Sequence, residues 1–166
     1  MKTVKLSTAA AVSALALAAL SLIHPWGNLR SGFPAGSPTL GGSNVPDELR
    51  GVLAHKCGDC HSNNTRWPLY SRVAPSSWLV EHDVHEGRKH MNFSSWEQYA
   101  LDARIDLLGK IGTQLRQGKM PLKQYLLLHP EARLSESERK LILDWTKTER
   151  RRLIAQADAE AAQPAK

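Results

Sequence analysis

CGDCH, residues 57–61, places two cysteines three positions apart and a histidine directly after the second. C-x-x-C-H is the attachment pattern of a c-type haem. Each thiol adds to one vinyl group of the porphyrin, and the two intervening residues set the sulfurs at the separation of those groups. The histidine then lies under the iron as its proximal ligand. Cys57 and Cys60 are therefore the covalent attachment points and His61 is the proximal iron ligand. Two other readings compete. A redox-active dithiol should follow a strand and open a helix within a βαβ unit, and no such unit is visible. A zinc site wants four ligands, and there is no second cysteine pair, although His61, His82 and His85 complete a set on paper. The chain has only two cysteines, so a disulfide framework is excluded as its organising principle.

The opposite face of the iron needs its own ligand. Met91, Met120, His82, His85 and His90 are candidates, with His55 and His129 behind them. Gly118-Lys119-Met120-Pro121 stands out. Methionine is a soft neutral ligand that raises the haem potential. The proline restricts the residue before it and stiffens the loop. Met120 is thus the expected distal ligand. His82 and His85 lie three positions apart on one helical face, which makes His85 the alternative.

Outward from the motif, strand-like alternation is scarce and helical signals dominate. Pro46-Asp47-Glu48 suits a first helical turn. Ser94-Ser95-Trp96-Glu97 reads as a capping box, followed by Trp96, Ala100, Ala103, Leu107, Ile111 and Leu115 at helical spacing. Gly109 and Gly112 predict an end or kink there. Ser135-Glu136-Ser137-Glu138 is a second box, with Leu141, Ile142 and Trp145 as its apolar stripe. The fold expected is a small all-α, cytochrome c-like domain of four or five helices around one covalent haem, preceded by an N-terminal hydrophobic helix.

The 166 residues divide accordingly. Residues 1–26 read as a signal peptide or membrane anchor, with Lys2 and Lys5 before an uncharged run from Leu6 to Ile23. Cleavage sites of the small-x-small type occur at Ala14–Ala16 and Ala16–Ala18. Trp26 suits an interfacial anchor. Residues 27–44 read as a flexible linker, 45–154 as the haem-binding domain, and 155–166 as a disordered tail. Formal net charge is +6. Arg139, Lys140, Lys147 and Arg150–Arg152 are interleaved with acids, which describes a solvated face or a docking face for an acidic redox partner. No basic run is interleaved with aromatics in a nucleic-acid recognition motif.

The longer string is more specific. Cys57 to Tyr70 reads CGDCHSNNTRWPLY; then come Ala74–Leu79, Glu86-Gly87-Arg88, Met91–Trp96, Lys119-Met120-Pro121, Tyr125, His129-Pro130 and the helix from Leu134 to Trp145. This resembles the haem-binding domain family of bacterial membrane-anchored, cytochrome c-like proteins. The resemblance implies one haem c on Cys57 and Cys60, iron ligation by His61, and Met120 as the natural distal residue. Trp67 and Arg88 are candidate propionate contacts, and Tyr125 is a candidate pocket residue. The function expected is that of a monohaem electron carrier rather than an enzyme, with unidentified redox partner proteins and no small-molecule substrate. Its expected location is the periplasmic side of the bacterial inner membrane, anchored by the leader or released after its cleavage. The alternative is a peroxidase-like enzyme or a gas or redox sensor with an open sixth position.

Overall fold

A computed structural model describes residues 2–30 and 39–162; side chains are described from residue 8 onward. The chain is helical, with no strand among the described residues. Helix α1 spans Lys2–Ser21 and its described side chains are almost all exposed. Among the described residues, no helix is long and apolar enough to cross a membrane. The domain follows as α2 (Asp47–Lys56), α3 (Gly58–His61), α4 (Ser76–His90), α5 (Leu101–Arg116), α6 (Lys123–Leu128) and α7 (Glu136–Ala161), with three 3-10 turns between them.

The core is built by α2, α5, α7 and the Phe93–Trp96 segment. Leu49, Leu53, Phe93, Trp96, Leu107, Leu108, Leu115, Ile142, Trp145 and Leu153 form one buried cluster. Helices α5 and α7 run antiparallel, because Arg139 near the start of α7 donates to the Leu115 carbonyl and Arg150 donates to that of Ile105. The basic residues of α7 thus divide their work. Arg139 and Arg150 tie two helices together, and Arg152 pairs with the buried Glu149 at 2.8 Å. Gly109 and Gly112 neither end nor kink α5. The packing of α5 along α7 outweighs their unfavourable helix propensity.

One of the two capping boxes forms. At Ser135 the reciprocal box is present: Ser135 Oγ accepts from the Glu138 amide at 3.1 Å, and Glu138 accepts from the Ser135 amide at 2.8 Å. Ser135→Ala should lower stability by about 1 kcal/mol, read as a lower urea midpoint with an unchanged slope. At Ser94 the expected box is absent. Asn92 caps instead, accepting from the Ser94 amide at 3.0 Å. Ser94 Oγ accepts from the Asn63 amide, so it holds the loop after the haem motif. Phe93–Gln98 is consequently a 3-10 segment, and α5 starts only at Leu101.

Three boundaries also move. Thr39 and Leu40, placed in the linker by composition, are buried. The Leu40 amide donates to the Phe93 carbonyl, and Arg50 donates to the carbonyls of Thr39 and Leu40. Residues 31–38 of that linker lie outside the described residues. Ser21 to Arg30 is no loose tether either. The Ala74 amide donates to Ser21 Oγ, Trp78 Nε1 donates to the Ile23 carbonyl, and His24 Nδ1 bonds Glu81 at 2.8 Å. At the other end, α7 continues through Ala161, so residues 155–161 are an exposed helical extension rather than a disordered tail. Residues 163–166 lie outside the described residues.

Candidate haem site

Helix α2 delivers the motif. Cys57 closes α2 through its amide to the Leu53 carbonyl, and its own φ of −125° breaks the helix. One further helical turn, α3, then carries the histidine, with the His61 amide bonded to the Cys57 carbonyl at 3.0 Å. Cys57, Cys60 and His61 are all half-buried. Both cysteines are free thiols. Burial, with smaller contributions from nearby groups, pushes each up to about 12, so both are neutral thiols. Among the described residues, no group of three or more His, Cys, Asp and Glu side chains is arranged to hold a metal ion. His61, His82 and His85 are not brought together as such a group.

His61 carries the test of fit for haem. Its Nδ1 lies 3.0 Å from the Met91 carbonyl oxygen. A carbonyl only accepts, so Nδ1 bears the proton and Nε2 is the bare nitrogen. Burial lowers the His61 pKa, which favours the neutral imidazole. A neutral ring whose outer N–H is held by a backbone carbonyl is the arrangement that orients a histidine ligand. Phe93 packs on the ring at a centroid distance of 5.9 Å. The residues therefore fit the group. The same bond puts the Met91 backbone behind the imidazole, on the proximal side, which argues against Met91 as the distal ligand.

Helix α4 fixes the attachment turn from the other side. Gly87 faces Cys60 so closely that a Cβ there would lie 2.5 Å from the Cys60 carbonyl oxygen. Arg88, one residue on, donates to the Ser62 carbonyl at 2.9 Å, to Thr65 Oγ1 at 3.0 Å and to the Leu29 carbonyl at 3.4 Å. Its fork thus holds the loop after the motif. Trp67 lies under the Arg30 guanidinium, 4.3 Å from the ring centre.

Asp59, between the two cysteines, is nearly buried and central. It accepts from the Arg66 amide and guanidinium and from the Tyr125 hydroxyl at 2.8 Å. Burial and the Asp59 bond push the Tyr125 phenol well above its usual range, so it stays a donor. Tyr125 stacks on His129 at 4.4 Å, and His129 Nε2 lies 2.7 Å from the Tyr70 hydroxyl while its Nδ1 faces Glu131. These side chains line a small cleft beside Cys60. Through its bond to Asp59, Tyr125 docks α6 onto the motif. The Asp59–Tyr125 and Tyr70–His129 pairs were not foreseen, because partners 59 to 66 residues apart leave no local pattern.

The remaining distal candidates separate. His129 has both ring nitrogens engaged. His82 and His85 sit on the outer part of α4, 47% and 38% exposed, beside Asp83 and Glu86. His90 is 75% exposed. Met120 is half-buried and packs against the same apolar cluster as Cys57.

An all-helical scaffold presenting an oriented neutral histidine and two free thiols on one turn defines a haem-binding protein. The model of the haem-binding domain family matches residues 15–148, and the chain belongs to that family. It is also 28% identical over 116 residues to the cytochrome c peroxidase Ccp of Escherichia coli (strain K12). That match takes in 68% of this chain and 25% of the peroxidase, so the chain spans about a quarter of its relative's length. No solved structure matches it.

Proposed function

We infer that this protein is a monohaem c-type cytochrome that carries electrons, with haem joined to Cys57 and Cys60 and ligated by His61 and Met120. The observation that carries the reading is the His61 Nδ1 bond to the Met91 carbonyl, which leaves Nε2 free for iron. When bound, the haem supplies a one-electron couple at its iron. The chain's own work is to orient His61 and to supply the apolar cluster of Leu53 and Phe93, with Met120 packed on it, that would hold the group beside the half-buried attachment turn. Unidentified redox proteins are its proposed partners, on the periplasmic side of the inner membrane. The basic start of the chain and its apolar Leu6–Ile23 run support export, with α1 either retained as a tether or cleaved.

Its peroxidase relative favours a second reading, in which the sixth position opens to peroxide or a gas. The two are separated by ferric and ferrous visible spectra with and without carbon monoxide. The wild type should be six-coordinate and indifferent to carbon monoxide. Met120→Ala should expose the iron and bind carbon monoxide readily. A wild type that binds it equally well, or an unchanged ferric spectrum in the variant, removes Met120 from the iron. The first result points to an open site, and the second to a histidine such as His85.

A further inference from the structure

Helix α5 carries a cation in the middle of the face it buries. At about 3.6 residues per turn, Leu101, Leu107, Leu108, Ile111 and Leu115 all fall within about 60° of Arg104 around the helix. Those five residues belong to the apolar cluster that also takes in Phe93, Cys57 and Met120. Arg104 is half-buried, and its Nε is buried with no hydrogen-bond partner. Among the described residues its guanidinium forms no hydrogen bond and no ion pair.

That is unusual within this chain. Arg30, Arg50, Arg88 and Arg139, the other half-buried arginines among the described residues, donate to the Ser71, Thr39, Ser62 and Leu115 carbonyls. A guanidinium keeps its proton, so burying one without a partner is costly. No carboxylate of the surrounding elements answers it. Asp102 and Asp106, on α5 itself, are exposed, and Asp102 accepts from the Ala103 amide. On α7, Glu149 pairs with Arg152, and Arg150 brings only a second cation, donating to the Ile105 carbonyl. Glu97, just before α5, lies against Gly42.

We propose that Arg104 binds a propionate carboxylate of the haem. The proposal rests on the haem reading above and extends it to a residue outside the attachment motif. Side chains of a helix tilt toward its N-terminus, which takes Arg104 back toward the Met91–Tyr99 segment that leads into α5. The same segment supports the iron ligand. Met91 holds His61 Nδ1, Phe93 packs on the imidazole, and the Asn92 amide donates to the Tyr99 hydroxyl at 2.9 Å. A propionate is an anion that haem carries on its own edge. Its planar carboxylate matches the fork of N–H donors and would satisfy Nε.

The test uses the full holoprotein and its Arg104→Gln and Arg104→Lys variants, with haem content measured as the pyridine haemochrome. Reduction potential is followed against pH, and the propionate bending band is read by resonance Raman. An ionised propionate stabilises ferric haem, so the potential falls as pH rises through the propionate's titration. Without the guanidinium that inflection should rise by about 1–3 pH units in Arg104→Gln, and the Raman band should shift. Arg104→Lys keeps the charge and loses the fork, so it should recover most of the inflection. The visible spectrum of both variants should match the wild type, because Arg104 gives the protein no side-chain bond to lose. An inflection and a Raman band that Arg104→Gln shares with the wild type overturn the proposal while leaving the haem reading intact. A wild type without haem overturns both, so the two failures are distinguishable.

Discussion

Haem is expected to be lost completely on denaturing electrophoresis from a chain carrying both Cys57→Ala and Cys60→Ala. Each single variant should keep a band joined through one thioether. The argument begins with the turn itself. Cys57 and Cys60 flank α3, and no other cysteine exists to substitute for either. His61 follows on the same turn, with Nδ1 held by Met91. Coordination alone does not survive detergent and heat, so only a carbon–sulfur bond keeps haem in the band. Haem staining that persists at full intensity in the double variant would falsify covalent attachment. The variant should also be less stable. Its domain is small enough to have a thin core, and a group that binds only the folded state stabilises that state.

The second large effect is expected at Gly87. Gly87→Ala should destabilise the domain by about 1–3 kcal/mol, as overpacking of a tight contact does, and Gly87→Val by more. The new Cβ would meet Cys60 backbone atoms at 2.5 and 3.0 Å, and backbone cannot move aside as a flexible side chain does. Either α4 shifts or the attachment turn does. If the turn moves, the His61 bond to Met91 lengthens with it, because Met91 directly follows α4. A spectral change should therefore accompany the loss of stability. Gly51→Ala is the control. That glycine lies within α2 with nothing inside 4 Å of the added carbon, so alanine should be neutral or stabilising by about 0.5–1 kcal/mol. Equal urea midpoints for Gly87→Ala and Gly51→Ala would sink the close-approach argument.

Much of the domain was legible in the residue pattern because it depends on local chemistry. The start of α2 at Pro46-Asp47-Glu48 and the Ser135–Glu138 box use partners within one turn, and both are present. The Ser94 box failed although its local pattern was equally good. Asn92 and Asn63 took its two groups, and Asn63 is 31 residues away. Gly109 and Gly112 were misread for a related reason: propensity is a small term, and the face α5 shares with α7 outweighs it. The burial of Asp59 depends on Tyr125, 66 residues away, and leaves no local signal.

The CGDCH pentapeptide, by itself, carries the attachment chemistry proposed for this protein. Its spacing fits a porphyrin's vinyl groups regardless of the rest of the fold. Sequence also determined the helical class, through apolar periodicity and caps. Only the tertiary structure decided what surrounds the motif: the Met91 carbonyl that sets the His61 tautomer, the bare Gly87 against Cys60, Arg88 turned to the loop, and Leu40 in the core. Each of these joins residues at least 23 positions apart. Their proximity comes from burying one shared apolar cluster, and no local pattern encodes it.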